Sequence, residues 1–251
     1  MKRRSKIDIR RDAILELLRN EERVYVSKLS KILGTTEVTI RNDLTVLEQQ
    51  RKLMRVQGGA VLYPEGDAPV ISNEAEKQSI ADVVAEMIGD GDTLFINCGT
   101  TTLCVAQALK QRKNLNVVTN SISVATTLAD IPTIRVLLLG GEVNAQYGFT
   151  YGANAQEQLS QYQAGWAILA VDGVSDNCGV TTYHAEEAIL DRMMIDGAAH
   201  ALIVADGSKI GHAGFSRVCE CSDRLTLVTD AIDPVTKESL AQCGMKIKVV
   251  K

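Results

Sequence analysis

Five short segments carry residue types suited to gripping a phosphorylated, hydroxyl-rich ligand. Asn97-Cys98-Gly99-Thr100-Thr101-Thr102 follows an apolar run and precedes a helical one. Gly99 lets the backbone come close to a ligand, while the three threonines add hydroxyls to the exposed N–H groups of a helix start. That arrangement favours a dianionic phosphate. Thr119-Asn120-Ser121, Gly140-Gly141-Glu142, Asp172-Gly173 and Asp206-Gly207-Ser208-Lys209 each follow a further apolar run. Together they offer hydroxyls, amides, carboxylates and one ammonium, with Lys209 as the charge partner of the phosphate. Glu186, in Thr181-Thr182-Tyr183-His184-Ala185-Glu186-Glu187-Ala188, is a further candidate for a sugar hydroxyl. The helix dipole also explains acids at that position without any ligand.

The same groups leave an enzyme open. A sugar-phosphate isomerase or deaminase needs a carboxylate base, for which Asp172 and Glu142 are available, and a cation for the developing enolate, for which Lys209 serves. The amide of Asn97 can bond a hydroxyl but cannot act as a general base, and no residue is assigned a catalytic role. A nucleotide site ranks last, because no Gly-x-Gly-x-x-Gly or Gly-Lys-Ser/Thr loop follows a strand pattern. Neither a metal nor a cofactor is expected. The histidines stand scattered at 184, 200 and 212, and Cys219-Glu220-Cys221 is the only close cysteine pair, so zinc-ligand spacing is lacking.

The strand ends that carry these groups belong to an alternating pattern. Apolar runs at 93–97, 116–119, 135–139, 166–171, 201–205, 225–228 and 246–250 read as strands. Helical stretches near 102–111, 121–129, 153–162, 185–198 and 235–242 separate them, after a first helix over 72–88. Near-continuous apolar strands alternating with helices predict a mostly parallel sheet covered on both faces. In such α/β folds ligands bind at the carboxyl ends of the strands.

A different chemistry sits at the start of the chain. Residues 1–60 hold 14 Lys and Arg against 8 Asp and Glu, a surplus of +6, while the remainder sits at −10 within an overall net charge of −4. A basic head on an acidic body suggests that the head alone meets a polyanion. A helix over 8–19 carries Ile14, Leu15, Leu17 and Leu18, and Val24-Tyr25-Val26 reads as a brief strand. Ser27 is a plausible N-cap for a second helix that Gly34 ends, and Thr35-Thr36 caps a third. In that third helix Ile40, Leu44 and Leu47 share an inner face, which leaves Val38, Arg41, Asn42, Thr45 and Gln49 opposite. Short polar and positive side chains on one helix face suit the major groove, with Thr36 and Thr39 at its start. Residues 52–57 and 60–63 around Gly58-Gly59 read as a two-stranded wing that places Arg55 and Gln57 near backbone phosphates. The head is therefore expected to be a winged helix-turn-helix over 1–63. A linker over 64–72 contains two of the four prolines, and the α/β domain spans 73–251.

Length and composition fit a small domain plus a medium one. No run approaches the roughly 18 apolar residues of a membrane span, the N-terminus lacks a signal-like core, and six cysteines are too few for a disulfide scaffold. Reduced thiols, a cytoplasmic location and no membrane partner are the expectations.

Thr36-Glu37-Val38-Thr39-Ile40-Arg41-Asn42-Asp43-Leu44, with Leu47-Glu48 and then Arg55-Val56-Gln57-Gly58-Gly59-Ala60, resembles the signature of DeoR-type bacterial transcriptional regulators. Asn42 stands where that family usually has a second arginine and Gln57 where it usually has a histidine; Asn42 can pair bidentately with adenine. The resemblance continues through Gly99-Thr100-Thr101, Thr119-Asn120, Gly140-Gly141 and Asp206-Gly207-Ser208-Lys209 in the same order, with Asn97 replacing the usual aspartate. It implies a sugar-phosphate-sensing domain similar in fold to ribose-5-phosphate isomerase. The implied role is a repressor of carbohydrate-use genes released by a phosphorylated sugar. Paired half-sites on double-stranded operator DNA would require a homodimer or homotetramer. The stretch from Gly179 to Ala188 resembles members that govern amino-sugar and ketohexose pathways.

Overall fold

A computed structural model of the chain describes residues 6–21, 23–49, 52–56, 58–62 and 73–250. It divides into two compact units, Met1–Val70 and Ile71–Lys251. The expected linker over 64–72 lies outside the described residues.

The first unit runs α1 (Lys6–Asn20), β1 (Val24–Tyr25), α2 (Val26–Ile32), α3 (Glu37–Gln49), β2 (Leu53–Val56) and β3 (Gly59–Leu62). Its three strands pair antiparallel in the order β1-β3-β2. Ile14 and Leu18 of α1, Leu29 of α2, and Ile40, Leu44 and Leu47 of α3 are fully buried together with Leu53. Each helix therefore turns one apolar stripe inward, as their spacing dictates. One expectation needs correction. Ser27 is not the cap of α2, because the Val26 amide already bonds the Gly58 carbonyl at 2.8 Å and the helix opens at Val26. The cap of α3 is as expected: Thr36 Oγ1 accepts from the Thr39 amide at 3.2 Å.

The second unit opens with α4 (Glu74–Met87), β4 (Thr93–Ile96), α5 (Thr100–Ala108), β5 (Asn116–Thr119), α6 (Ile122–Ala129) and β6 (Arg135–Leu138). There follow the hairpin β7 (Glu142–Asn144) and β8 (Phe149–Tyr151), then α7 (Ala153–Leu159) and β9 (Ala164–Ala170). Next come β10 (Gly173–Ser175), β11 (Gly179–Thr182), α8 (Ala185–Asp196), β12 (Ala198–Val204), β13 (Ser216–Cys219), β14 (Leu225–Thr229), α9 (Pro234–Gln242) and β15 (Lys246–Val249). Seven of these strands form one parallel sheet in the order β15-β14-β12-β9-β4-β5-β6.

Side chains alternate across this sheet with the two-residue period of a strand. Leu94, Ile96, Ile168, Leu202 and Val204 pack with α4, α5 and α6 on one face. Phe95, Ala167, Leu169, Ala201 and Ile203 pack with α7 and α8 on the other. Both faces are covered, which is why the strands read as unbroken apolar runs.

Two elements depart from the expected pattern. Residues 140–152 form the hairpin β7-β8, and β10, β11 and β13 make a separate antiparallel sheet. Thr181-Thr182 accordingly ends a strand, and α8 begins only at Ala185. Among the described residues no helix is long and apolar enough to cross a membrane.

Candidate functional site

Strand order reverses between β4 and β9. The chain lays β5 and β6 on one side of β4, then returns to place β9, β12, β14 and β15 on the other. The loops leaving the carboxyl ends of β4 and β9 therefore diverge and open a crevice, the usual place for a ligand in such sheets.

Gly99 fixes the β4 side of this crevice. A Cβ on Gly99 would fall 2.4 Å from the Ala170 Cβ of β9, so only glycine allows the two strand ends to approach. Gly99 is also the residue before α5 and supplies no side-chain cap to it. The first-turn amides at Thr100, Thr101 and Thr102 therefore meet no side chain at the cap position, and the positive end of the helix dipole points into the crevice. The threonines divide their work. Thr102 is fully buried and donates to the carbonyls of Asn97 and Gly99, both at 3.0 Å, which tightens the turn. Thr100, the least buried of the three, stands at the opening, with Thr101 largely buried behind it.

Asn97 acts on the protein itself. Its Nδ2 donates to the Ala170 carbonyl at 2.9 Å and to Asp191 Oδ1 at 3.0 Å, and its Oδ1 accepts from the Ala170 amide at 2.8 Å. With no exposure and every amide function engaged, it clamps β4 to β9 beyond their ladder. Asn97, expected at the ligand, spends its amide on β9 and Asp191 in this fold. Gly140 and Gly141 are likewise engaged within the protein. The Gly140 amide donates to Gln158 Oε1 at 2.9 Å. Gly141 has φ +151° and a Cβ position 2.3 Å from the Tyr151 carbonyl, so it shapes the root of the hairpin. Both leave β6, the outermost strand, about 10 Å from β4 at the usual strand spacing.

The β9 and β12 ends bring the remaining charges together. Asp172 Oδ2 accepts from the Tyr183 amide at 2.8 Å and from Thr182 Oγ1 at 3.2 Å, while its Oδ1 lies 3.8 Å from Lys209 Nζ. Lys209 rides on a single 3-10 turn, Gly207–Lys209, that Asp206 caps by accepting from the Ser208 amide at 3.0 Å. Buried Asp206 also receives Asn73 Nδ2 at 3.3 Å and lies 3.9 Å from Lys77 Nζ of α4. Burial pulls the Lys77 ammonium below its ordinary range, against the pull of Asp206 and with the nearby Lys209 charge. Thr119 and Asn120 end β5 beside β4. Thr119 Oγ1 accepts from the Ser121 amide at 3.0 Å. Among the described residues, buried Asn120 Oδ1 has no hydrogen-bond partner.

The helix α8 supplies two carboxylates that sequence reasoning missed. Its register turns Glu187 inward and leaves Glu186, the residue expected at a sugar hydroxyl, exposed. Glu186 acts electrostatically on Tyr151 in the hairpin. Glu187 Oε2 accepts from Thr182 Oγ1 at 3.1 Å, and burial pushes its carboxyl up to about 8, with the Asp172 charge adding to the shift. Asp191, fully buried against Asn97, is held well above the usual carboxylate range by burial and by Glu187. A signal for this pair exists in the sequence. Glu187, Leu190, Asp191 and Met194 follow helical spacing, so two acids interrupt an apolar stripe. Lys77 interrupts the stripe Ile80, Ala81, Val84 in the same way.

Two well-formed cavities lie elsewhere. One of about 370 Å³ is lined by Asp176, Asn177, Val235 and Thr236 among others, and one of about 230 Å³ lies among β4, β5, β6 and Tyr162. Neither gathers an ammonium and a free helix start, so chemistry and not volume marks the crevice as the candidate site. Among the described residues no three His, Cys, Asp or Glu side chains stand together as metal ligands.

In the first unit α3 presents Val38, 64 % exposed, and Arg41, which bonds Glu37 Oε2 at 2.8 Å one turn earlier. Thr36 and Thr39 bond each other at the helix start at 2.9 Å. Asn42 and Thr45 lie on α3 and Arg55 on β2, while Gln57 lies outside the described residues. Behind this surface, buried Asp43 accepts from Arg10 Nε at 2.5 Å and Arg11 Nε at 3.0 Å, tying α3 to α1.

The family model described as the DeoR-like helix-turn-helix domain matches residues 10–65, and that of the DeoR C terminal sensor domain matches residues 72–231. The chain is 33% identical over 233 residues to the glycerol-3-phosphate regulon repressor of Escherichia coli, covering 90% of this chain and 92% of that one. It is 32% identical over 228 residues to the HTH-type transcriptional repressor GlcR of Bacillus subtilis, covering 88% and 87%. Among solved structures, the ribose 5-phosphate isomerase of Methanocaldococcus jannaschii aligns over 55% of each chain with 14% identity and a TM-score of 0.41.

Proposed function

This chain belongs to the DeoR family of DNA-binding transcriptional regulators, and from that premise we propose that it is a repressor of carbohydrate-use genes governed by a phosphorylated sugar. In this reading α3 enters the major groove of operator DNA through Val38, Arg41, Asn42 and Thr45, and the β2-β3 wing rests on the backbone through Arg55 and Gln57. Two copies or more bind paired half-sites. Relatives that are themselves named repressors support the direction of control.

The observation that carries the sensing half is the convergence at the β4/β9 crossover. There a helix start without a side-chain cap stands beside the end of β9, whose Asp172 lies 3.8 Å from Lys209. The phosphate sits at the amides of Thr100 and Thr101 with Lys209 as counter-charge, and Asn120 and Asp172 meet the sugar hydroxyls. Lys209 and Asp172 are each more than a third exposed, and such ion pairs contribute little, so Lys209 can exchange its carboxylate for a phosphate at small cost.

Relatives named as repressors support sensing rather than turnover. Isomerisation needs an ionised base beside the substrate carbon. Burial favours the neutral forms of Glu187 and Asp191, and Asn97 is an amide locked to β9, which leaves Asp172, paired with Lys209, as the carboxylate on which an isomerase reading would rest. The test is a thermal-shift screen of aldose and ketose phosphates on the full chain, paired with an assay for product. A ligand-induced shift that Lys209→Ala and Thr101→Ala both reduce, without turnover, supports the sensor. Turnover above background supports an isomerase or deaminase instead, and full response in both variants moves the site elsewhere.

A further inference from the structure

Three rings gather beside the crevice, and phosphate recognition leaves them unused. The ring of Tyr147, in the turn between β7 and β8, lies 4.5 Å from that of His184, and Tyr183 lies 6.0 Å from the same imidazole. Buried Phe149 backs that imidazole at 5.7 Å. His184 precedes α8, yet its side chain makes no cap bond, so ring contacts are what orient it. Tyr147 and Tyr183 remain 43 % and 64 % exposed. Clustered aromatic surface left open to water marks a place where something binds.

Backbone bonds fasten these rings to the site. The Tyr147 carbonyl accepts from Cys98 Sγ at 3.3 Å, in the turn that leads to Gly99. The neighbouring Gly148 carbonyl accepts from the Ile122 amide at the start of α6, at 2.9 Å. The Tyr183 amide donates to Asp172 Oδ2 at 2.8 Å, the carboxylate that faces Lys209. One ring is thus anchored to the β4 turn and another to the β9 end, on the two sides of the crossover.

A sugar ring is amphipathic, with hydroxyls around its edge and C–H groups on its faces. The electron-rich face of an aromatic ring attracts those C–H groups and excludes water from them. An open-chain polyol phosphate offers the same hydroxyls and the same phosphate but no preformed face. We propose that Tyr147, His184 and Tyr183 form a stacking platform that selects the cyclic form of the phosphorylated sugar over open-chain polyol phosphates. The selection rests on the crossover reading of the site, and it adds a ring requirement that a phosphate cradle alone does not impose.

The test is calorimetric titration of the full chain with a panel of aldohexose 6-phosphates, each paired with its open-chain alditol 6-phosphate, and with inorganic phosphate. The expected result is that at least one cyclic ligand binds on the order of tenfold more tightly than its alditol. Tyr147→Ala with Tyr183→Ala removes that preference and leaves alditol and inorganic phosphate binding unchanged, while the Tyr→Phe pair retains it. The single Tyr183→Ala, at the more exposed ring, is read independently should the double variant fold poorly, and a partial loss of preference is expected. Equal binding of cyclic and alditol ligands by the unaltered chain overturns the platform alone, as does a preference that survives both alanine variants. A changed mass in light scattering with the preference intact assigns the rings to contact between copies, which also overturns it. Absence of any phosphate binding, with no effect of Lys209→Ala, overturns the crossover reading and the platform with it.

Discussion

The Nζ of Lys209 stands 3.8 Å from Oδ1 of Asp172, across the adjacent ends of β12 and β9. That separation is loose for an ion pair, and both groups keep substantial contact with water. Asp172 is anchored by its other oxygen to Tyr183 and Thr182, whereas Lys209 reaches it only across the longer gap. Replacing Asp172 by Asn keeps an acceptor for the Tyr183 amide and removes the competing charge. Inorganic phosphate is therefore expected to bind a few-fold more tightly to Asp172→Asn in calorimetry at fixed salt, because like charge near the anion is relieved. Weaker or unchanged phosphate binding would place the anion away from Lys209.

The buried acids of α8 set a pH dependence of stability. Glu187 titrates near 8 in the folded chain, against about 4.3 in an unfolded one. Between those values the folded state holds a proton that the unfolded state has lost, so rising pH favours unfolding. Thermal stability of the second unit is expected to fall from about pH 5 to about pH 8. Glu187→Gln, which mimics the protonated acid, is expected to flatten that slope. A slope that persists unchanged in the variant assigns the dependence to other groups.

Arg41 and Asp43 sit two residues apart on α3, so they point to different sides of the helix, and should fail in different ways. Asp43 is buried with two arginine partners that are each about one-quarter exposed. Asp43→Ala frees those arginines to rehydrate and removes the tie between α1 and α3, at a cost of about 1–2 kcal/mol to the first unit. Arg41, half exposed in its bond to Glu37, should cost little stability. Its alanine variant should instead weaken DNA binding and flatten the salt dependence. Calorimetric melting and gel-shift titration of both variants separate the two roles, and equal effects on melting would remove the distinction.

Asn97 offers a sharper test of positioning. Asn97→Asp would set a carboxylate against Asp191 Oδ1, where the amide now donates at 3.0 Å. Two buried acids at that distance cannot both ionise. The variant is expected to melt lower than the parent by several degrees at pH 8 and by less at pH 5. A pH-independent loss would mean that the clamp acts through shape alone.

The large elements were legible because one physical pattern governed each. Ile40, Leu44 and Leu47 gave α3 its inner face, and apolar runs gave all seven strands of the parallel sheet. The hairpin β7-β8 was not legible. Its strands are three residues long, and Glu142 and Val143 are exposed, so no alternation of burial accompanies them. At the site, Gly99 and Lys209 stood out in the sequence because each follows an apolar run at a turn, and in the fold they lie at the carboxyl ends of β4 and β12. The inward direction of Asn97 and the outward direction of Glu186 were not legible, because residue type does not reveal direction. A buried amide and an exposed acid look like ligands until the neighbouring strand and the register of α8 are known.

The most direct measurement is the affinity of the full chain for an operator obtained by in vitro selection, taken at one salt concentration with and without a saturating sugar phosphate from the thermal-shift screen. A ligand that distinguishes two states by about 1–3 kcal/mol should lower DNA affinity roughly 5–150-fold, and Lys209→Ala should bind the same DNA but no longer respond. DNA affinity that ignores every phosphate that the chain binds would contradict the link between the crevice and the operator.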